Sequence, residues 1–248
     1  MLEKSSSHLQ TFIFNGLVVH ICYKSSRYMR INIRPSLESS QPIIKLTCPP
    51  RATDEAILAF IQAHKEWIDN VCARMAQVRG EIVAILQKHC DEVLLFGKWV
   101  PTMPLIELRA ILHTYLVQRA DVFANAMGVR FSKLAVRKSM SRLGSCTQDR
   151  LSFSILLVFA PKEEIDYVVI HELAHIVHNN HSAQFWELVG AHCPRWRSLR
   201  KSIKSRWRLF SALLDRLEQE SSQQAKLPTQ ASPQSHNADI GSQLLFDF

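Results

Sequence analysis

The chain has 248 residues, 47% of them hydrophobic, and a formal net charge of +8 from 30 Lys and Arg against 22 Asp and Glu. That is apolar matter enough for one large domain or a small pair, and seven glycines with no fixed period exclude a fibrous or repeat architecture. The polar start, Met1 to His8, lacks the apolar stretch of a signal peptide, and the longest apolar run, Ile155 to Ala160, is far too short to span a bilayer.

Residues 1–11 are expected to be frayed. Phe12 to Ile21 then predicts a hairpin turning at Asn15-Gly16, because Asn-Gly between apolar runs accepts the positive φ values of a tight turn. Met29 to Arg34 alternates as a half-buried strand, Ile43 to Thr47 is another, and Pro49-Pro50 closes this β section. A helix is expected over 54–75: Thr53 or Asp54 can cap it, and Ile57, Phe60, Ile61, His64, Ile68 and Val71 recur at helical spacing. A second helical piece over 82–90 and a strand-turn-strand over 94–100 follow. After Pro101 and Pro104 comes a long helix over 105–127, ended by Gly128. Leu134 to Arg137 reads as a strand, and so does Leu151 to Phe159, which alternates at first and then becomes continuously apolar.

Pro161 then opens the helix that carries the chemistry, as proline does at a first turn. Its sequence passes through His171-Glu172-Leu173-Ala174-His175 and continues to His178-Asn179-Asn180-His181. Residues four apart share a helix face about 6 Å apart along the axis, so His171 and His175 can grip one ion. Zinc suits two imidazoles and leaves room for a third ligand and a water. Glu172 is placed to take a proton from that water. Ile165, Val169, Leu173 and Ile176 form an apolar stripe away from the histidines, which fits a helix lining a cleft. His178 faces the same way but lies roughly 10 Å from His171 on an unbroken helix, too far to share a metal. His181 is better placed if the helix stops near Asn179-Asn180, since Asn tolerates the left-handed conformation that ends helices.

Beyond it, Ser182 can cap a helix running to His192, with Phe185 and Trp186 packing it against the metal helix. A basic helix over 197–217 follows Cys193-Pro194. From about Gln219 the chain turns to Ser, Gln, Pro, Ala and Asn, a composition too poor in apolar residues to fold. Gln243 to Phe248 is abruptly hydrophobic again.

The segment Ile165 to His175 with Asn180-His181-Ser182 and Phe185-Trp186, together with 27–50, resembles the YgjP-like family of zinc metallopeptidases. That family is similar to the SprT-like proteases and belongs to the wider zincin group. The histidine spacing also matches the metzincin signature, but the glycine expected there is His178. The resemblance implies Zn2+ as cofactor, His171, His175 and His181 as metal ligands, and Glu172 as the catalytic glutamate. It implies an α+β fold: a zincin-like catalytic region at 129–217 with the metal helix packed on a small sheet. An N-terminal β-rich section and helices would occupy 12–128, and a flexible polar tail 218–248. In zincins the strand before the metal helix forms the edge along which an extended substrate lies, which here points to 151–159. Arg142, Tyr167 and His178 are candidates, by chemistry alone, to steady an oxyanion. Cys146 has no electropositive partner of known position and reads as a structural thiol, not a nucleophile.

The expected function is zinc-dependent hydrolysis of peptide bonds through a metal-activated water, with a peptide or protein as substrate. The alternative is a nucleic-acid-associated binding protein with a structural metal or a vestigial protease site. Two basic segments bear on it, 130–142 and 195–208, the second holding seven Lys and Arg in fourteen residues without an acid. A solvated helix face is the plain reading of both. The end Gln243 to Phe248 loosely resembles peptides that bind the bacterial sliding clamp, with Phe246 where Leu is usual. Six scattered cysteines with no CxxC pair read as reduced thiols, so a cytoplasmic location without membrane contact is expected.

Overall fold

The computed structural model describes residues 10–14, 16–34 and 42–224. The architecture is α+β and divides into two compact units, one ending at Glu92 and one beginning at Val93. Residues 1–9 and 225–248 lie outside the described residues, and with them most of the stretch expected to fray, most of the polar tail and the clamp-like end. Two boundaries shift, since Gln10 and Thr11 already pair in a strand and residues 218–224, expected in the tail, continue the last helix to Gln224.

The first unit holds a four-stranded sheet of order β1-β2-β4-β3, formed by β1 (Gln10–Phe14), β2 (Leu17–Tyr23), β3 (Arg30–Arg34) and β4 (Ile43–Cys48). The expected hairpin joins β1 to β2, with Phe14 opposite Leu17 and Gly16 at φ 78°. β2 and β4 run parallel with Val19 opposite Ile44 and Ile21 opposite Leu46. Those four side chains therefore share one face. They bury themselves with Ile57 and Ile61 of α1 (Asp54–Ala63) and Ile68 of α2 (Lys65–Lys88). Thr53 caps α1 as expected, its hydroxyl accepting from the Ala56 amide. The helices divide differently from the expectation of 54–75 and 82–90. The break comes at His64 (φ −106°, ψ 8°), where the ring Nδ1 meets the Phe60 carbonyl at 2.8 Å, and α2 then runs unbroken through Gly80.

At the start of the second unit, β5 (Glu92–Leu95, whose first residue is the last of the first unit) and β6 (Lys98–Pro101) form a hairpin whose turn residues Phe96 and Gly97 both have positive φ, 50° and 80°. A Cβ on Gly97 would lie 2.8 Å from Pro161, so only glycine lets the hairpin abut that proline. The long helix α3 (Leu105–Met127), which the sequence reading grouped with the N-terminal section, belongs to this unit. It buries Leu108, Leu112, Leu116, Ala120 and Ala124 at four-residue spacing and ends, as expected, on left-handed Gly128 (φ 68°).

Next come β7 (Lys133–Arg137), β8 (Gly144–Thr147) and β9 (Arg150–Ser154), in the order β7-β9-β8. The strand expected over 151–159 stops at Ser154. Ile155–Phe159 is a 3-10 helix, with the Ser154 hydroxyl accepting from the Leu156 amide and donating to the Ser139 carbonyl. All five of its residues are buried, so the run is enclosed on every side and need not alternate. α4 (Lys162–Val177), α5 (Ala183–His192) and α6 (Trp196–Gln224) complete the unit. Pro161 and Ser182 stand at the N-caps of α4 and α5 as expected. All six cysteines are free. Among the described residues, no helix is long and apolar enough to cross a membrane.

Candidate functional site

α4 is buried on most of its circumference, with Ile165, Val168, Val169 and Leu173 all inside. Its C-terminal turns emerge against β8 and α5. The helix ends at Val177, two residues earlier than the Asn pair had suggested, because His178 is extended (φ −127°, ψ 109°). The chain then turns back through Asn180, whose side-chain oxygen accepts from the Ser182 amide at 3.2 Å, and Ser182 caps α5 by accepting from Phe185. Between these two devices, residue 181 swings toward the helix it has just left.

The structure brings His171, His175 and His181 together. One ring nitrogen from each lies within 4.8 Å of the others, and the ring centroids are 4.8 to 5.0 Å apart. Nε2 of His171 and Nε2 of His181 face each other at 3.1 Å. Two nitrogens about 2.1 Å from one tetrahedral zinc would be roughly 3.4 Å apart. The His171–His181 pair is already close to that, and nitrogens as far as 4.8 Å apart would draw together around such an ion. The His175 Nδ1 proton is donated to the His178 carbonyl at 3.1 Å, which leaves its Nε2 as the free lone pair. Burial, the neighbouring imidazoles and Arg200 push the His171 ring down to about pKa 3, and burial followed by His175 and Arg200 lowers His181. Unprotonated imidazoles are what a metal cation requires. His178 gives its carbonyl to this arrangement rather than its ring.

An aromatic floor holds the rings. Phe185, fully buried, has its ring 4.6 to 4.9 Å from all three imidazoles. Trp186 stacks on His181 at 5.4 Å and 23°, and Trp196, at the start of α6, stacks on Trp186 at 4.1 Å and 14°. The sequence reading anticipated Phe185 and Trp186; it missed Trp196, whose position depends on how α6 returns.

Glu172 is 5% exposed, and burial pushes its carboxyl up to about pKa 8 against the opposing pull of Arg142. It faces a cleft of about 330 Å³ lined by the three histidines, Arg142, Gly144 and Cys146 among others. Gly144 was missed from sequence. A Cβ there would sit 2.5 Å from the Glu172 carboxylate, so this glycine is what lets β8 lie against the acid. Of the three oxyanion candidates, Arg142 lines the cleft, whereas Tyr167 packs its ring 5.9 Å from His171 and does not. Burial pushes the Cys146 thiol up to about 11, with Glu172 and Asp149 adding to it, which keeps it protonated and unsuited to be a nucleophile, although it is half-buried at the cleft and not in the core.

The edge expectation needs correcting. β9, the strand before α4, is central in its sheet. The edge that borders the cleft is β8, with Ser145 and Cys146 in the lining. Strand order is set by pairing across the sheet, where β9 takes β7 in parallel and β8 in antiparallel fashion.

Residues 107–206 match the family model of the YgjP-like metallopeptidase domain, a span from α3 into α6 that includes every side chain of the cluster. No curated protein matches the chain. Among solved structures the chain is similar to the metallopeptidase zymogen of Pyrococcus abyssi abylysin, at 19% identity and a TM-score of 0.35, over 37% of this chain and 93% of that one.

Proposed function

The chain carries a YgjP-like metallopeptidase domain over residues 107–206, and on that premise we propose that it is a zinc-dependent peptidase whose ligands are His171, His175 and His181 and whose general base is Glu172. The observation that carries this reading is the convergence of three imidazole nitrogens beside a buried carboxylate in an open cleft. When bound, zinc supplies Lewis acidity at a carbonyl oxygen and lowers the pKa of water towards about 7. The rest falls to the chain's own groups. Glu172, buried beside the cluster and facing the cleft, is placed to remove a proton from water and return it to the leaving nitrogen. Arg142, exposed at the cleft, offers a cation to developing negative charge. β8 offers main-chain groups to an extended peptide, a mode in which backbone bonds supply affinity and alternate side chains supply selectivity.

The test measures zinc in the purified full-length protein and cleavage of an unfolded protein such as casein. Glu172→Gln is expected to retain zinc and lose at least ~100-fold in cleavage rate, the scale of a lost general base. His181→Ala is expected to lose both. A Glu172→Gln protein that cleaves at the parental rate would sink the assignment of the base. A protein that takes up no zinc would sink the centre and favour a binding role.

A further inference from the structure

α6 begins beside the histidine cluster and sorts its cations by side. Trp196, Leu199, Ile203 and Phe210 are buried. Arg195 pairs with Glu163 and Arg206 with Glu164, both acids in the first turn of α4. The remaining five, Arg197, Arg200, Lys201, Lys204 and Arg208, are all exposed, and none has an acidic partner among the described residues. At 3.6 residues per turn they fall within an arc of roughly 100° opposite the buried face and extend about 16 Å along the axis. The first acid on this helix is Asp215, beyond the end of the stripe. At the near end, the Arg197 and Arg200 guanidinium groups lie over the Trp196 and Trp186 rings at 4.5 and 5.2 Å. Those are the indoles stacked behind His181.

We infer that the exposed face of α6 is a docking surface for the phosphodiester backbone of nucleic acid. A straight row of unneutralised cations matches a polymer carrying one charge per ~1.7 Å of duplex, and its binding is driven by release of condensed counterions. A lipid surface fits less well. A helix that lies on a bilayer inserts large apolar side chains beside its cations, and the apolar residues of α6 are committed to the core of this unit. The stripe reads no bases; it holds the backbone, and it ends next to the cleft. This goes beyond the peptidase reading and does not depend on it, since docking needs neither the metal nor Glu172.

The test is fluorescence anisotropy of a labelled 20-base-pair duplex of arbitrary sequence with the full-length protein, from about 50 to 300 mM NaCl. Five phosphate contacts give a slope of log K on log salt of about −4 to −5. Changing Lys201, Lys204 and Arg208 together to Gln, which keeps helix propensity, is expected to reduce the slope to about −2. At the lowest salt it should weaken binding at least tenfold. Unchanged affinity in that variant would overturn the inference, as would the absence of binding at 50 mM. Equal competition by polyglutamate would overturn it in favour of acidic proteins, and stronger retention on anionic vesicles in favour of a lipid surface.

Discussion

Glu172 and His171 pull the pH dependence of the metal-free protein in opposite directions, and the two can be separated by window. The Glu172 carboxyl is raised to about 8, so between roughly pH 4.5 and 8 the native state keeps a proton that the unfolded chain has lost. Its contribution to stability therefore falls as pH rises through that range. His171 is lowered to about 3, so below roughly pH 6.5 the unfolded chain takes up a proton that the native state refuses. That contribution is present above 6.5 and is lost as pH drops. Between about 6.5 and 8 the Glu172 slope is alone of the two, at up to roughly 1.4 kcal/mol per pH unit. Urea unfolding of chelator-treated protein should thus show wild type losing stability across that window and Glu172→Gln losing much less. Parallel profiles for the two proteins would contradict the buried, protonated acid. Gly144 makes a second prediction at this scale. Gly144→Ala puts a methyl 2.5 Å from the Glu172 carboxylate, and the displaced acid should cost at least ~10-fold in cleavage, as misplacement of a reacting group does. Zinc content should be unchanged, because the three atoms nearest that methyl's position all belong to Glu172.

Among the elements, α4 is the one held from several sides. Asp166 accepts two bonds from the Arg119 guanidinium at 2.8 Å each and a third from the Tyr115 hydroxyl at 2.9 Å, tying α4 to α3. Burial and that carboxylate push the Tyr115 phenol up, so it remains a donor. Glu164 does the corresponding work toward α6 through Arg206 and Ser202. Asp166→Ala strands a guanidinium and a phenol, and should destabilise the second unit by about 2 kcal/mol, read as a drop of roughly 4–8 °C in its melting temperature. A change under 1 °C would show the clamp to be idle. These ties were not legible in the sequence, because they join residues 42 to 51 positions apart. What was legible was local: the Thr53 and Ser182 caps, the Gly128 terminus and the histidine spacing each act within a few residues. The 3-10 run at Ile155–Phe159 was misread for the same reason in reverse. Its apolar string looks like a strand, and only enclosure by the surrounding helices decides otherwise. β8 could not be seen as the edge, since strand order is a property of the assembled sheet.

At the scale of the molecule, the two units each have their own core, and only the second contains the histidine cluster. Anything that binds the folded second unit and not its unfolded chain stabilises that unit alone, by about 2.7 kcal/mol at a hundredfold excess over the dissociation constant. Calorimetry of the full-length protein should then resolve two transitions, of which one rises with added zinc and falls with a chelator. Leu46 is fully buried in the first unit, in the sheet core against the helices. Leu46→Ala should cost that unit about 2–5 kcal/mol and lower the zinc-insensitive transition while the other stays in place. If instead one transition responded to zinc and to Leu46→Ala alike, the units would be folding as a single cooperative body. The histidine cluster would then depend on a sheet that contributes none of its side chains.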